Sequence, residues 1–410
     1  MKTRWKIFAI LSFMYVLAYF FRVSMAVAAR DLAADLHLSA AQLGTLSGAF
    51  FYAFAFTQIP LGPLLDRFGG HRVVTACGLI TTAGSLLFAC APGYPAALAG
   101  RILLGAGSAS VLMGALKVFT NWFTPREFAT ISGLIVAIGN LGNLSATAPL
   151  ALAIAAGGWR QPFVAVGLLQ LAATLGVHLI VQDRPQREDD EKEPAHHHPG
   201  VIAGWRMVAA TPSFWLLSLL AFFWYANYMA LQGLWGGPYL MEVIGLSRKG
   251  AGDILLLTSV GFIVGCLCVG KLSDRLLKSR KWTLVAGQTA LLLLMTAMLG
   301  PADSLGRPLL SALFAAIGLA VSSGVTIYPM LREMFPHAIT GTALTAANFF
   351  VLMGAATMQQ LMGHYIEGFS RSPSGYPAAA YHGAFLIPIG GLALAILLFL
   401  GARDTSPERP

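Results

Sequence analysis

The sequence predicts an all-α membrane protein, with twelve transmembrane helices arranged as two pseudo-symmetric six-helix bundles. Three observations lead there. Only 11% of the 410 residues are charged and 56% are apolar, whereas a soluble chain carries about 25% charged residues. Apolar runs of about 20 residues, the length that crosses a bilayer, recur along the whole chain. The same landmarks also occur twice, 208 positions apart: Gly62-Pro63-Leu64-Leu65-Asp66-Arg67 returns as Gly270-Lys271-Leu272-Ser273-Asp274-Arg275. Gly133 likewise returns as Gly341, and Asn140 as Asn348. Parallel repeats of six spans, with a solute site where they meet, are how many secondary transporters are built.

Taken in order, the apolar runs of the first half fall at 5–29, 41–65, 73–92, 95–119, 129–156 and 161–182. Those of the second fall at 213–241, 250–272, 281–300, 308–332, 340–366 and 379–402. This divides the chain into a first bundle (1–182), a cytoplasmic linker (183–208), a second bundle (209–402) and a cytoplasmic tail (403–410). The first run is too long for a cleavable signal and reads as the first span. The 44 Gly and 21 Pro suit helices whose neighbours satisfy the backbone groups these residues free. The stretch Asp183 to Gly204 mixes both charges with Pro and has no periodicity, as a flexible tether would. His196, His197 and His198 lie within it, and three adjacent histidines in a loop seldom make a dedicated metal site.

The charge of +9 reads as topology. Of the 27 Lys and Arg, 18 fall in the termini and the loops on their side, and six in the opposite loops. The positive-inside rule therefore places both termini in the cytoplasm, and no nucleic-acid surface is needed to account for the basic residues. Cys77, Cys90, Cys266 and Cys268 lie inside apolar runs without metal-ligand spacing and read as small packing residues.

After the second span comes Gly62-x-x-x-Asp66-Arg67-x-Gly69-Gly70-His71-Arg72, with a reduced copy at Gly270-x-x-x-Asp274-Arg275. Arg101 opens Arg-x-x-x-Gly105-x-Gly107 in the fourth span. On these residues nearly the whole chain resembles the major facilitator superfamily, with His71 standing where a basic residue is usual. The resemblance implies a carrier with the major facilitator fold. It also implies a gate in which Asp66, Arg67, Arg72, Asp274 and Arg275 latch the cytoplasmic ends of the halves. The alternative for these loops is a purely topogenic role.

In the first span, Tyr15, Tyr19, Arg22 and Ala26 recur at intervals of four, three and four, so they share one helical face. A guanidinium flanked by phenols suits a carboxylate or phosphate, because its fork bonds two oxygens at once. The Tyr-x-x-Arg pattern is similar to the organic-anion and organophosphate branches of the superfamily, where the matching arginine contacts substrate. The other reading of Arg22 is a side chain reaching to the outer interface. Phosphate-ester exchangers of this kind use a second arginine in the seventh span. Here that span offers Trp224, Tyr225, Asn227, Tyr228, Gln232 and Trp235, and no cation, which favours a monoanion or zwitterion. Arg101 is read either as a coupling residue or as a donor to backbone carbonyls of the first span. Lys117 either lines the inner vestibule or reaches to the cytoplasmic edge. Asn140 and Asn348 line the cavity or brace helix packing.

No acidic residue falls at mid-membrane. Glu242 and Asp253 come nearest, so a coupling proton, a counter-transported anion and simple facilitated movement stay open. The rival within the superfamily is a proton-driven exporter of drugs or other amphiphiles such as siderophores. The Gly-Pro pair common in the fifth span of such exporters is missing from Gly139-Asn140-Leu141-Gly142-Asn143. A membrane sensor without transport is the remaining alternative. No catalytic constellation, phosphate-binding loop or cofactor motif is present.

The sequence thus predicts a multi-pass protein of a bacterial inner membrane, a monomer that partners the lipid bilayer and a small organic solute. The solute site is expected from Arg22, Tyr15, Tyr19, Tyr225, Asn227, Tyr228, Gln232, Asn140 and Asn348. Coupling and gating are expected from Asp66, Arg67, Arg72, Arg101, Asp274, Arg275 and Lys117.

Overall fold

The computed structural model describes residues 3–183, 201–372 and 375–405. Most of the linker, with His196, His197 and His198, lies outside the described residues. The described residues are overwhelmingly helical, as lipid demands: a helix satisfies its own backbone groups where no water is available. Among the described residues, ten helices are long and apolar enough to cross a membrane. The second and eleventh spans, inside helices Ala40–Ala89 and His337–Glu367, complete twelve rods. Leu267 and Leu397 are 74% and 67% exposed, an outward apolar surface that only a bilayer would cover.

The two halves pack by the same rules. In the first, span one lies against five and six, two against four, and three against six. In the second, seven lies against eleven and twelve, eight against ten, and nine against twelve. Glycine permits the closest crossings in both copies. A Cβ on Gly142 would strike the Val16 carbonyl, and one on Gly354 would strike that of Phe222.

Local chemistry sets the ends. Ser39 and Gln42 form a capping box for the second span, and Thr124 with Glu127 does the same for the fifth. The first helix does not stop near 29: after a break at Ser24 it continues as Met25–Asp35. The loop expected after the second span is also nearly absent. Helix runs on through Asp66 and Arg67 and breaks only at Gly69, whose φ of 80° and ψ of 163° are open to glycine alone. The expected tether contains a further helix, Val201–Ala209.

Spans one, four, seven and ten are each interrupted: at Ser24, at Ala109, over the π-helical turn Ala230–Trp235, and over the 3₁₀ turn Ser322–Thr326. Seven and ten stand where one and four do in the repeat. Discontinuous helices at corresponding positions mark the centre of such bundles as the binding region. In the tenth span Gly324 lies against the Trp224 ring, whose indole donates to the Val321 carbonyl at 2.8 Å.

The seam between halves is formed by span two on eleven and five on eight. Its end away from the termini is shut. Cβ positions on Gly44 and Gly48 would lie 2.5 and 2.8 Å from the Gln359 and Ala356 carbonyls. Arg248 pairs with Asp31 across the halves, and the Tyr52 hydroxyl donates to Gln360 at 3.1 Å. At the opposite end Gly62, Gly133 and Gly270 have nothing within 4 Å of a Cβ. Among the described residues the halves thus close on each other at the end away from the termini.

Candidate functional site

Arg22 sits at the end of helix Thr3–Val23, two residues before the break in the first span. Its guanidinium lies over the Tyr19 ring at 4.6 Å and the Phe54 ring at 5.1 Å. Nη1 donates to the Tyr225 hydroxyl at 3.3 Å, and this bond joins the first span to the seventh. Nε is buried without a hydrogen-bond partner. Among the described residues no carboxylate pairs with it. A cation held by ring faces and one phenol, with donor capacity in reserve, has the chemistry to receive an anion.

The surroundings are aromatic. The Tyr15 hydroxyl donates to that of Tyr19 at 3.4 Å, with their rings edge-on at 4.9 Å. Across the seam, Tyr225 lies 6.0 Å from Tyr228, which stacks on Phe262 at 5.5 Å. The Tyr228 hydroxyl is buried and unpartnered. Tyr328 donates to Asn348 Oδ1 at 3.5 Å, from the tenth span to the eleventh.

The structure thus brings together Tyr15, Tyr19, Arg22, Tyr225 and Tyr228, with Asn348 alongside Tyr328. The other amides are occupied by packing. Asn227 is fully buried and donates to the Phe223 and Pro388 carbonyls at 2.8 Å each. Gln232 is fully buried and donates to Ser259 at 3.0 Å. Asn140 donates to Val136 of its own helix and accepts from Asn143, and no hydrogen bond joins it to Asn348 among the described residues. Phe54, Phe262 and Tyr328 were absent from the sequence expectation. An aromatic in an apolar span carries no local sign of facing a cation.

Arg101 is fully buried. It donates from Nε to the Leu46 carbonyl at 3.1 Å and from Nη1 to that of Phe21 at 2.9 Å, with its guanidinium 4.8 Å over the Phe50 ring. It therefore holds the first span at the turn that carries Arg22. The carbonyl-bonding reading expected partners in the first span, and here Phe21 belongs to that span while Leu46 belongs to the second.

In the stretch expected to form a gate, Arg67 and Arg72 are exposed, and Arg67 lies 5.2 Å over the Phe68 ring. The side chains of Asp66, Asp274 and Arg275 lie outside the described residues. Lys117 is exposed near the end of the fourth span. An unexpected partner is Asp183, which accepts from the His71 backbone N–H at 2.8 Å, while His71 stacks on His178. Among the described residues no cluster of three or more His, Cys, Asp or Glu is placed to hold a metal.

A family model described as Major Facilitator Superfamily matches residues 11–358. The chain is 28% identical over 331 residues to the probable sulfoacetate transporter SauU of Cupriavidus necator, covering 76% of each chain. It is 25% identical over 402 residues to the hexuronate transporter of Bacillus subtilis, covering 94% of this chain and 92% of that one. A bacterial homolog of the human lysosomal transporter Spinster, solved inward-facing and unoccupied, superimposes with a TM-score of 0.80. That match has 20% identity and covers 98% and 97% of the two chains.

Proposed function

Because this chain belongs to the major facilitator superfamily, we propose that it carries a small organic anion of single charge through the bilayer by alternating access. The observation that supports this is Arg22: a guanidinium between two aromatic rings, at the meeting of two interrupted spans, with no carboxylate beside it among the described residues. Leaving such a charge without a counter-ion at this depth costs several kcal/mol, a cost that a bound anion offsets. Relatives named for sulfoacetate and hexuronate, both organic acids, agree with an anionic substrate, and the preference for a single charge comes from the lone Arg22 among the described site residues. A single cation suits a carboxylate or sulfonate better than a dianionic phosphate ester.

Arg22 is the anion contact, and Tyr15, Tyr19, Tyr225, Tyr228 and Tyr328 enclose the organic body. The halves, 1–182 and 209–402, rock about this point. The excess of Lys and Arg on the side of the termini supports a cytoplasmic position for that side in a bacterial inner membrane and an outer position for the shut face. The carrier acts as a monomer, with a coupling proton or an exchanged anion supplying the drive.

The test is a thermal-shift series of sugar acids, sulfonates and neutral sugars on the purified carrier and on Arg22→Ala. The expected result is an acid that stabilises the parent and leaves Arg22→Ala unmoved. Equal stabilisation of both proteins would remove Arg22 from the site.

A further inference from the structure

The first half bears a groove on the face that it turns to the bilayer, apart from the Arg22 site. The groove lies between the first and sixth spans and encloses about 470 Å³. Lys6, Ile10 and Phe13 form one wall, and Ala172 and Ile180 belong to the other. Positions 6, 10 and 13 share one helical face. The face of Tyr15, Tyr19 and Arg22 is a different one, since the two residues from Phe13 to Tyr15 turn the helix by about 200°. One helix thus gives one side to the solute and another to lipid.

The spans meet closely at one point and leave space beside it. A Cβ on Gly176 of the sixth span would lie 2.2 Å from Cδ1 of Ile10. Ala9 and Ala172, both exposed and both lining the groove, are too small to fill it. Phe13 and Ile180 are 41% and 38% exposed, an apolar surface of the kind that acyl chains cover.

The depth of the groove fits one leaflet. Lys6 lies in the first turn of Thr3–Val23, and Ile180 ends Arg160–Ile180, so both mark the membrane surface on the side of the termini. At 1.5 Å per residue, Lys6 to Phe13 covers about 10 Å and Ala172 to Ile180 about 12 Å. The hydrocarbon of one leaflet is about 15 Å deep. Lys6 therefore stands at the level of the headgroups, with the exposed Trp5 indole beside it in the chain.

Lys6 is free to take an anion. Among the described residues it has no ion-pair partner: Glu127 pairs with Arg4, and Asp183 accepts from the His71 N–H. The start of the helix adds its own partial positive charge.

We propose that this groove binds an anionic phospholipid from the leaflet on the side of the termini. An acyl chain lies along Ile10 and Phe13, and the headgroup phosphate pairs with Lys6. A zwitterionic lipid fills the groove as well, but its own ammonium already offsets the phosphate, so Lys6 selects for net negative charge. A lipid held only by the folded carrier also stabilises it by mass action.

The site is independent of what Arg22 binds. The test is native mass spectrometry of the full-length carrier in neutral detergent, with equal amounts of phosphatidylglycerol and phosphatidylcholine of the same acyl chains. A cation at an anionic headgroup contributes enough for a preference of about fivefold for phosphatidylglycerol. Lys6→Gln is expected to abolish that preference, and Ala172→Phe to lose it by filling the groove. Ala9→Phe fills the groove from the other wall if Ala172→Phe fails to fold. Arg206→Gln, which removes another exposed cation on the side of the termini, should keep the preference, as should Arg22→Gln. An undiminished preference in Lys6→Gln would overturn the proposal. So would one kept in both groove-filling variants, which would mean diffuse attraction to charge, or displacement of the lipid by inorganic phosphate, which would make the site one for free anions.

Discussion

The Arg22 guanidinium donates to the Tyr225 hydroxyl at 3.3 Å, so a residue of the second half occupies one donor of the proposed anion receptor. An incoming anion must displace that phenol or share the fork with it. The bond thus links occupancy of the site to the fit between the halves.

Tyr225→Phe keeps the ring, which lies 6.0 Å from Tyr228 and 5.6 Å from Trp224, and removes only the competitor. A hydrogen bond from a charged donor contributes about 1.5–3 kcal/mol. Anion affinity is therefore expected to tighten by roughly tenfold or more, as measured by calorimetric titration. Weaker binding would make the hydroxyl a substrate contact.

Arg101→Met should cost stability and spoil the site together. The Leu46 and Phe21 carbonyls lose donors inside the bundle, and each charge-assisted bond is worth about 1.5–3 kcal/mol. The expected outcome is a clearly lower Tm with weaker anion binding, because the Phe21 carbonyl precedes Arg22 by one residue. Arg101→Lys restores the charge without the two-pronged geometry and should recover only part of the loss.

Asp31 and Arg248 join the halves at the shut face, with 24% and 28% of their side chains exposed. Partly exposed pairs contribute about 1 kcal/mol or less. Arg248→Gln should therefore shift the resting population towards outer opening by a few fold, seen as faster alkylation of a cysteine placed behind the gate. Raising salt should reproduce part of the shift in the parent and little in the variant.

Glu127 makes a pH prediction outside the membrane. The backbone N–H and hydroxyl of Thr124, with Arg4 nearby, hold its carboxyl below the ordinary 4.5. A depressed carboxylate stabilises the fold above its unfolded value and loses that contribution as pH falls through the folded one. Glu127→Gln is expected to melt lower than the parent at neutral pH, and the gap should narrow below about pH 4.5.

The repeat was legible in the sequence because its landmarks, glycines and an Asp-Arg pair, are dictated by backbone approach and helix ends, which leave fixed spacings. The Tyr15-Tyr19-Arg22 face was legible for a similar reason, since one helix alone decides it. Partners from other helices were not. Phe54 and Tyr328 meet the Arg22 region only through packing of the second and tenth spans. Asn227 and Gln232 looked like site residues because amides are rare in apolar spans. Burial among carbonyls and Ser259 uses that polarity for packing instead. The near-absent loop at Gly69 was hidden because the Asp183 that docks there lies 114 positions further along the chain.

Gly69 and Asp183 supply the last prediction. Gly69 adopts φ 80° and ψ 163°, a region essentially confined to glycine, and a Cβ there would strike the Asp183 carboxylate. That carboxylate accepts from the His71 N–H at the start of the third span, where a helix end also favours negative charge. Gly69→Ala should destabilise by about 1–3 kcal/mol from backbone strain and push Asp183 off its donor. Asp183→Asn keeps the space and loses the charge, so it should cost less, about 0.3–1 kcal/mol. If the clash is the cause, the double variant Gly69→Ala with Asp183→Gly should melt above Gly69→Ala alone. Additive losses in that double variant would mean that strain at Gly69 acts without Asp183.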